Sequence, residues 1–183
     1  HRAKRVNPMD QWHPIVKLLH WLMAVLLISM LGIGFAMTGL ADQAAHSGDY
    51  SARILGVSIF DAYQLHKSIG VTLFAILVVR LAVRWGTVPV HHGDLASFER
   101  MTSKLVHTAL YALMLALPLT GWMLAASSPL GLPTVVFGLF HLPHPVGPSA
   151  TAEAFWGWLH CLGGLALTAL AAMHIAAALK HHF

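Results

Sequence analysis

The most constraining feature of this sequence is an uncharged run near its carboxyl end. From Ala154 to Leu179 there is no Asp, Glu, Lys or Arg, and a helix of that length crosses about 30 Å of hydrocarbon. The run contains His160 and His174. This spacing returns both to within roughly 40° of one helix face, about 21 Å apart along the axis. The pattern predicts a last transmembrane helix, about residues 153–182, with an imidazole near each membrane surface.

These two imidazoles predict metal sites at two depths in the membrane. An ionisable side chain in lipid is costly unless it has a partner, and neutral imidazole is a good ligand for haem iron. There is no CxxCH motif, and the single cysteine, Cys161, excludes an internal disulfide. Any haem is therefore expected to be of the b type, held by coordination and packing without thioether links.

The composition excludes an ordinary soluble domain. Of 183 residues, 57% are hydrophobic and only 10% are charged, which is typical of an integral membrane protein. The eleven Lys and Arg residues do not form one patch interleaved with aromatics, so the sequence does not favour nucleic acid as a partner. We expect an all-α, integral membrane four-helix bundle that forms a single domain over residues 1–183, with the lipid bilayer around it.

Three further apolar segments predict the other membrane helices, at about residues 14–37, 62–85 and 98–127. The first follows a basic start, but it is too long for the core of a signal peptide and contains His20. Pro118 is expected to kink the third helix. The segments at 38–61, 87–99 and 128–153 are polar or proline-rich and are expected to be connections.

The basic residues predict the orientation of the bundle. One side holds most of them: Arg2, Lys4, Arg5, Lys17, Arg80, Arg84, Arg100, Lys104 and Lys180. The other two connections and the adjoining helix ends hold only Arg53 and Lys67. By the positive-inside bias, both termini face the cytoplasm, an N-in/C-in arrangement.

Depth along the helices sorts five histidines into two levels. His20, His107 and His174 lie at the inner level, and His66 and His160 lie at the outer level. A haem needs two axial ligands from facing helices. The outer pair is therefore His66 with His160, whereas the inner pair must be chosen from the other three, which leaves one histidine over.

Several motifs together resemble the prokaryotic cytochrome b561 family. They are His20 followed by Trp21, LHKSIG around His66, HTALY from His107, and the LH and MHIAAALKHHF segments of the last helix. The match covers nearly the whole chain. The resemblance implies two b haems, each bound non-covalently by two histidines, and electron exchange with quinone. The membrane subunits of formate dehydrogenases and nickel-iron hydrogenases share the two-histidine last helix. By that likeness His20 pairs with His174, and His66 with His160.

The same resemblance leaves His107 without a ligand role. We expect it to be a neighbour of the inner haem or of a quinone, with a hydrogen bond to a propionate or a carbonyl. Arg80 and Arg84 pair with inner propionates, attract a quinone oxygen, or serve only as topology signals. No catalytic residue is predicted.

Four axial imidazoles leave neither iron an open coordination position, so we expect one-electron transfer across the membrane. Three functions fit. The first is a quinone-linked oxidoreductase or electron carrier, and the family includes superoxide oxidation with quinone reduction. The second is a cytochrome b subunit that relays electrons between a periplasmic redox partner and the quinone pool. The third is a haem-binding sensor or a haem-independent channel. The expected location is the bacterial inner (cytoplasmic) membrane, as a multi-pass protein.

The predicted outer segments are slightly acidic. They hold Asp42, Asp49, Asp61 and Glu153 against Arg53 and Lys67, which would steer a superoxide anion poorly. Lys67, beside His66, could still form a small basic mouth.

Overall fold

The structure, a computed structural model, describes residues 14–86 and 97–182 as four long helices and two short β-hairpins. The helices are α1 (Pro14–Ser47), α2 (Ile59–Trp85), α3 (Ser97–Ser127) and α4 (Ala150–His182), and the strands are β1 (Arg53–Ile54), β2 (Val57–Ser58), β3 (Thr134–Val136) and β4 (Phe140–Leu142). Each helix contains a stretch long and apolar enough to cross a membrane. The predicted all-α four-helix membrane bundle is therefore confirmed. The basic residues Arg2, Lys4 and Arg5 and residues 87–96 of the loop predicted at 87–99 lie outside the described residues.

Helix α1 is ten residues longer than predicted, because it ends at Ser47 rather than near residue 37. The segment after residue 37 is too polar for lipid, but it contains no proline and several good helix formers, among them Leu40, Ala41 and Ala44. The helix stops at Gly48, whose φ is +73° and whose N–H donates to the Ala44 carbonyl at 2.8 Å. Hydropathy marks where the chain leaves the membrane, whereas capping decides where the helix ends.

Two other helices begin one turn before their apolar runs. Ser58 caps α2, because its hydroxyl accepts a hydrogen bond from the Asp61 N–H at 3.1 Å. Ser149 precedes α4, and its hydroxyl accepts from the Ala152 N–H at 3.3 Å. Pro118 lies inside α3, which runs through it as a single helix.

The helices pack as two hairpins. Helix α1 packs on α2, α3 packs on α4, and α2 joins the hairpins through a smaller contact with α3. The buried core between α1 and α2 is formed by Met23, Met30, Ile69, Leu73 and Leu77. In the described parts of the chain, α4 makes no extended contact with α1 or α2. The space between α4 and these two helices is where the histidines face one another.

Candidate haem sites

The outer site is built from one histidine on each of two facing helices. His66 on α2 faces His160 on α4, with their ring centroids 6.2 Å apart and their planes at 81°. Both side chains are partly buried. The structure thus brings together the two residues that the sequence predicted as the outer pair.

His160 is oriented by hydrogen bonds from α3. Its Nδ1 lies 3.1 Å from the Leu117 carbonyl and 3.1 Å from the Thr120 hydroxyl. Because a carbonyl can only accept, Nδ1 carries the proton and the lone pair is on Nε2. Histidines that bind metals typically donate their second ring nitrogen to a carbonyl in this way. His160 therefore has the tautomer of a ligand.

His66 has an unmet hydrogen-bonding group. Its Nδ1 is buried and has no hydrogen-bond partner among the described residues. A buried polar atom without a partner is costly, so such atoms are rare in proteins. This imidazole is suited to a ligand that the chain itself does not supply.

Two glycines let these rings approach the neighbouring helices. A Cβ at Gly34 on α1 would lie 3.2 Å from Cε1 of His66, and a Cβ at Gly121 on α3 would lie 2.9 Å from Cε1 of His160. Any larger residue at Gly121 would require the ring to move. The sequence analysis missed both glycines, because no local pattern reveals which residue of another helix they contact.

The inner level brings three histidines together. His20 on α1 faces His174 on α4, with ring centroids 6.3 Å apart and planes at 84°. The ring centroid of His107 on α3 lies 5.2 Å from that of His174. The Nδ1 of His107 lies 2.8 Å from the Ser103 carbonyl, one turn earlier on the same helix.

The distances between rings test whether a metal fits between them. Imidazoles on opposite sides of one metal ion, with bonds of about 2.0 Å and the nitrogen about 1.1 Å from the ring centroid, place their centroids roughly 6.2 Å apart. The pairs His66–His160 at 6.2 Å and His20–His174 at 6.3 Å match this separation. The pair His107–His174 at 5.2 Å is too close.

The remaining ligands of such a metal would have to come from a cofactor. Within residues 14–86 and 97–182, no three His, Cys, Asp or Glu side chains come together as a metal site. A macrocycle that supplies its own equatorial nitrogens and needs only two axial imidazoles fits this donor set.

Arg80 of α2 lies at the inner site. Its Nη1 is 3.0 Å from Nδ1 of His20, and its Nε is buried without a hydrogen-bond partner. No carboxylate of the described residues pairs with it. Because a guanidinium only donates, Nδ1 of His20 accepts here, and Nε2 must carry the ring proton. Coordination through Nε2 therefore requires Arg80 to release His20, and a haem propionate is the anion that would take its place.

A tyrosine that the sequence analysis did not single out completes this cluster. Tyr111 lies one turn after His107 on α3, and its hydroxyl accepts from Nη1 of Arg84 at 3.0 Å. The guanidinium carbons of Arg80 and Arg84 lie 5.9 and 5.7 Å from its ring centroid. The four-residue spacing from His107 was the available signal, since it places both side chains on one helix face.

Comparison with known proteins identifies the family of this chain. A family model described as prokaryotic cytochrome b561 matches residues 11–183. The chain belongs to the prokaryotic cytochrome b561 family. It is also similar to cytochrome b561 homolog 2 of Escherichia coli (strain K12), with 32% identity over 180 residues that cover 97% of this chain and 87% of the relative.

Family membership confirms the coarser predictions. A prokaryotic cytochrome b561 is a multi-pass membrane protein that transfers electrons by b-type haem, and the four apolar helices agree with this description. The resemblance inferred from the histidine motifs is likewise confirmed.

Proposed function

We propose that this cytochrome b561 holds two b haems, one between His66 and His160 and one between His20 and His174, and exchanges electrons with quinone. The observation that carries the proposal is the pair of ring separations, 6.2 and 6.3 Å, which both suit a metal with two axial imidazoles. When bound, haem supplies reversible one-electron chemistry, and two axial histidines leave its iron no open position.

The bundle separates the two sites with apolar side chains. The two histidines of α4 lie about 21 Å apart along the helix axis. Between the two levels, a small cavity is lined by residues of all four helices: Leu27, Met30, Leu73, Met114, Leu117, Pro118 and Leu167. None of these side chains binds water strongly, so the interior supports electron transfer without carrying protons along the same path.

His107 supports quinone exchange at the inner level. Because its Nδ1 donates to the Ser103 carbonyl, Nε2 is left as a hydrogen-bond acceptor. The side chain is exposed on the bundle surface, where a quinone in the lipid can reach it. A quinol hydroxyl can donate to Nε2 while its ring lies close to His174, whose centroid is 5.2 Å from that of His107. His107 would then hold the proton that leaves as the quinol is oxidised.

The described basic residues favour an N-in/C-in orientation in the bacterial inner membrane. Those at the end of the bundle that carries the termini are Lys17, Arg80, Arg84, Arg100, Lys104 and Lys180. The opposite end holds Arg53 and Lys67, and both donate to backbone carbonyls, of Gly56 at 3.0 Å and Pro133 at 3.4 Å. By the positive-inside bias, that opposite end faces the periplasm.

The charge of the outer end favours a redox partner protein over superoxide. Asp42, Asp49, Asp61 and Glu153 outnumber the two cations there. Hydrogen bonds from the Ser51 hydroxyl and backbone N–H lower the pKa of Asp49 and keep it ionised. A negative field repels a small anion and attracts a partner with a basic surface. The alternative electron donor is superoxide, whose oxidation would be coupled to quinone reduction, and a superoxide assay distinguishes it from a partner protein.

Single histidine variants test the haem assignment. His160→Ala and His174→Ala should each lower the haem-to-protein ratio from two to one in a pyridine haemochrome assay, and the two variants should lose different haem spectra. His107→Ala is the matched control and should keep both haems. If His107→Ala, rather than His20→Ala, abolishes the inner haem, the inner pairing is wrong. A wild-type protein with one haem or none contradicts the proposal.

The quinone role is tested with the same control variant. In proteoliposomes, His107→Ala should slow haem reduction by quinol although both haems remain. Equal rates in the variant and the wild type would exclude His107 from quinone exchange. Rapid haem reduction by generated superoxide, with quinone turnover, would favour the superoxide alternative over a partner protein.

A further inference from the structure

The connection between α3 and α4 carries no Asp, Glu, Lys or Arg and folds into a hairpin. No Asp, Glu, Lys or Arg occurs from Leu105 to Ala152. Strands β3 and β4 are joined by a tight turn at Phe137 and Gly138, where φ is +47° and +73°. The turn is closed by the Leu139 N–H, which donates to the Val136 carbonyl at 2.9 Å. Large apolar side chains of this connection are exposed: Leu130, Leu132, Phe137, Leu139 and Phe140, with Leu139 at 80%.

Contacts with α2 set the depth of this hairpin. The Phe137 N–H donates to the Ser68 hydroxyl at 3.0 Å, and the Val135 N–H donates to the Gln64 side-chain oxygen at 3.2 Å. Val135 and Phe137 therefore lie at the depth of Gln64 and Ser68, which are two positions before and two positions after His66.

Ser68 and Gln64 both lie at the depth of the hydrocarbon. This conclusion rests on the proposed function, because it assumes that the two haem levels are symmetric about the membrane midplane. Leu167 is midway between the two histidines of α4 and lines the same cavity as Leu73 of α2. At 1.5 Å per residue from Leu73, Ser68 lies about 7–8 Å and Gln64 about 13 Å from the midplane, inside a half-thickness of roughly 15 Å.

Side chains of α2 act as a neighbouring strand for the hairpin and bind several of its backbone polar groups, which is what lipid requires of non-helical backbone. The Gln64 amide donates to the Pro133 carbonyl at 2.8 Å while its oxygen accepts from Val135. The Ser68 hydroxyl accepts from Phe137 and donates to the Gln64 carbonyl at 2.7 Å, with the Val135 carbonyl at 3.4 Å. On the α2 side of β3, the Pro133 carbonyl and the N–H groups of Val135 and Phe137 are thus hydrogen-bonded, whereas the Val135 carbonyl only faces a hydroxyl whose proton goes to Gln64.

Strand β4, on the side of the hairpin away from α2, exposes few backbone N–H and C=O groups. His141 pairs with Val135, whose polar groups point to α2, so the polar groups of His141 point the other way, away from β3. This residue is level with Gln64, near the boundary of the hydrocarbon, where water and headgroups can bind it.

We propose that the tip of the β3–β4 hairpin, residues 137–140, is immersed in the outer leaflet and binds lipid acyl chains. Three observations favour lipid over a protein partner: the tip lies at hydrocarbon depth, no Asp, Glu, Lys or Arg lies within the connection, and most backbone polar groups that face α2 are hydrogen-bonded. The β1–β2 hairpin differs. Ser58, where it joins α2, lies about 22 Å from the midplane by the same count, beyond the hydrocarbon.

Spin-label accessibility in lipid nanodiscs tests this. In the haem-loaded protein with Cys161→Ser, a nitroxide is attached at Leu139→Cys or, as the matched control, at Leu55→Cys in the other hairpin turn. Leu55 is fully exposed. Power saturation should show Leu139→Cys more accessible to oxygen than to a water-soluble nickel chelate, and the reverse at Leu55→Cys. Equal nickel accessibility at the two positions would overturn the inference, as would dipolar broadening at Leu139→Cys that reveals a second copy covering the tip.

The bonds from α2 provide a second test. Ser68→Ala removes the partner of the Phe137 N–H, and Gln64→Glu removes the donor to the Pro133 carbonyl while keeping an acceptor for Val135. Each should raise the nickel accessibility of the label at Leu139→Cys, because an unpaired backbone group draws the tip toward water. No change in either variant would contradict the role of these bonds.

Haem content measured on the same samples keeps the two proposals distinguishable. If the nitroxide at Leu139→Cys lies in lipid but the protein does not hold two haems, only the proposed function is contradicted. If the nitroxide lies in water and the protein holds two haems, only the hairpin inference is contradicted.

Discussion

Substitution of Gly121 by alanine separates a haem ligand from an ordinary core histidine at His160. The added Cβ would lie 2.9 Å from Cε1 of His160, whereas ordinary contacts begin at 3.4 Å, so the ring must move by at least about 0.5 Å. If His160 were only a packed side chain, its ring would turn aside by weakening its hydrogen bonds to Leu117 and Thr120, which contribute about 0.5–1.5 kcal/mol each. The helix propensity of alanine would offset about 0.5–1 kcal/mol of this loss, so stability would change little and the haem content would not change.

If His160 binds iron, the substitution changes the haem content. A metal–nitrogen bond of about 2.0 Å cannot absorb a shift of 0.5 Å, and plausible distances vary by about 0.2 Å. We therefore expect Gly121→Ala to lose the outer haem or weaken its binding severely, with the inner haem unchanged. Gly34→Ala requires a shift of only about 0.2 Å at His66 and should have a smaller effect.

The controls are glycines of the same bundle with open space around their Cβ positions. A Cβ at Gly32 or Gly39 meets nothing within 4 Å, so alanine there should leave both haems in place. The assay is the haem-to-protein ratio of the purified protein, together with the spectrum of the remaining haem. Two haems and an unchanged spectrum in Gly121→Ala would refute the assignment of His160 as a ligand.

Three further predictions follow from single contacts. Arg80→Gln should lower the midpoint potential of the inner haem by roughly tens of millivolts, because a cation that favours the reduced state is lost; a spectroelectrochemical titration that finds no shift would exclude a propionate partner for Arg80. Thr120→Val should keep the outer haem and alter its potential only slightly, since the Leu117 carbonyl still accepts from His160; loss of the haem would show that the hydroxyl is essential. Ser149→Ala should lower the apparent melting temperature in detergent, because an N-cap contributes about 0.5–2 kcal/mol, with both haems retained; an unchanged melting temperature would mean that the cap does not limit stability.

The helix boundaries show where sequence reasoning reached its limit. Apolar runs located all four membrane helices, with the charged residues of α2 confined to its ends, because charge is too costly in hydrocarbon to be placed freely. The same criterion ended α1 near residue 37, although the helix continues to Ser47. Outside the membrane, capping residues such as Gly48 and Ser58 decide the ends, and hydropathy does not measure capping.

The sequence did not predict the two β-hairpins, β1–β2 and β3–β4, for a related reason. Strands of two or three residues are too short for an alternating pattern. The β3–β4 hairpin depends on hydrogen bonds from Gln64 and Ser68, which lie about seventy positions earlier in the chain. No local signal in a proline-rich connection indicates such a partner.

By itself the sequence determined that this chain is a membrane bundle with imidazoles at two depths, because lipid tolerates few charges and a helix repeats its face at a known interval. It left one candidate pair at the outer level and three candidates at the inner level. Only the tertiary structure gave the ring separations, which support the proposal that His20 rather than His107 is the partner of His174. Only the tertiary structure placed Gly34 and Gly121 against the outer rings and Arg80 against His20. Contacts between helices depend on how far apart the helices stand and how they are rotated, and neither quantity is encoded in the periodicity of a single helix.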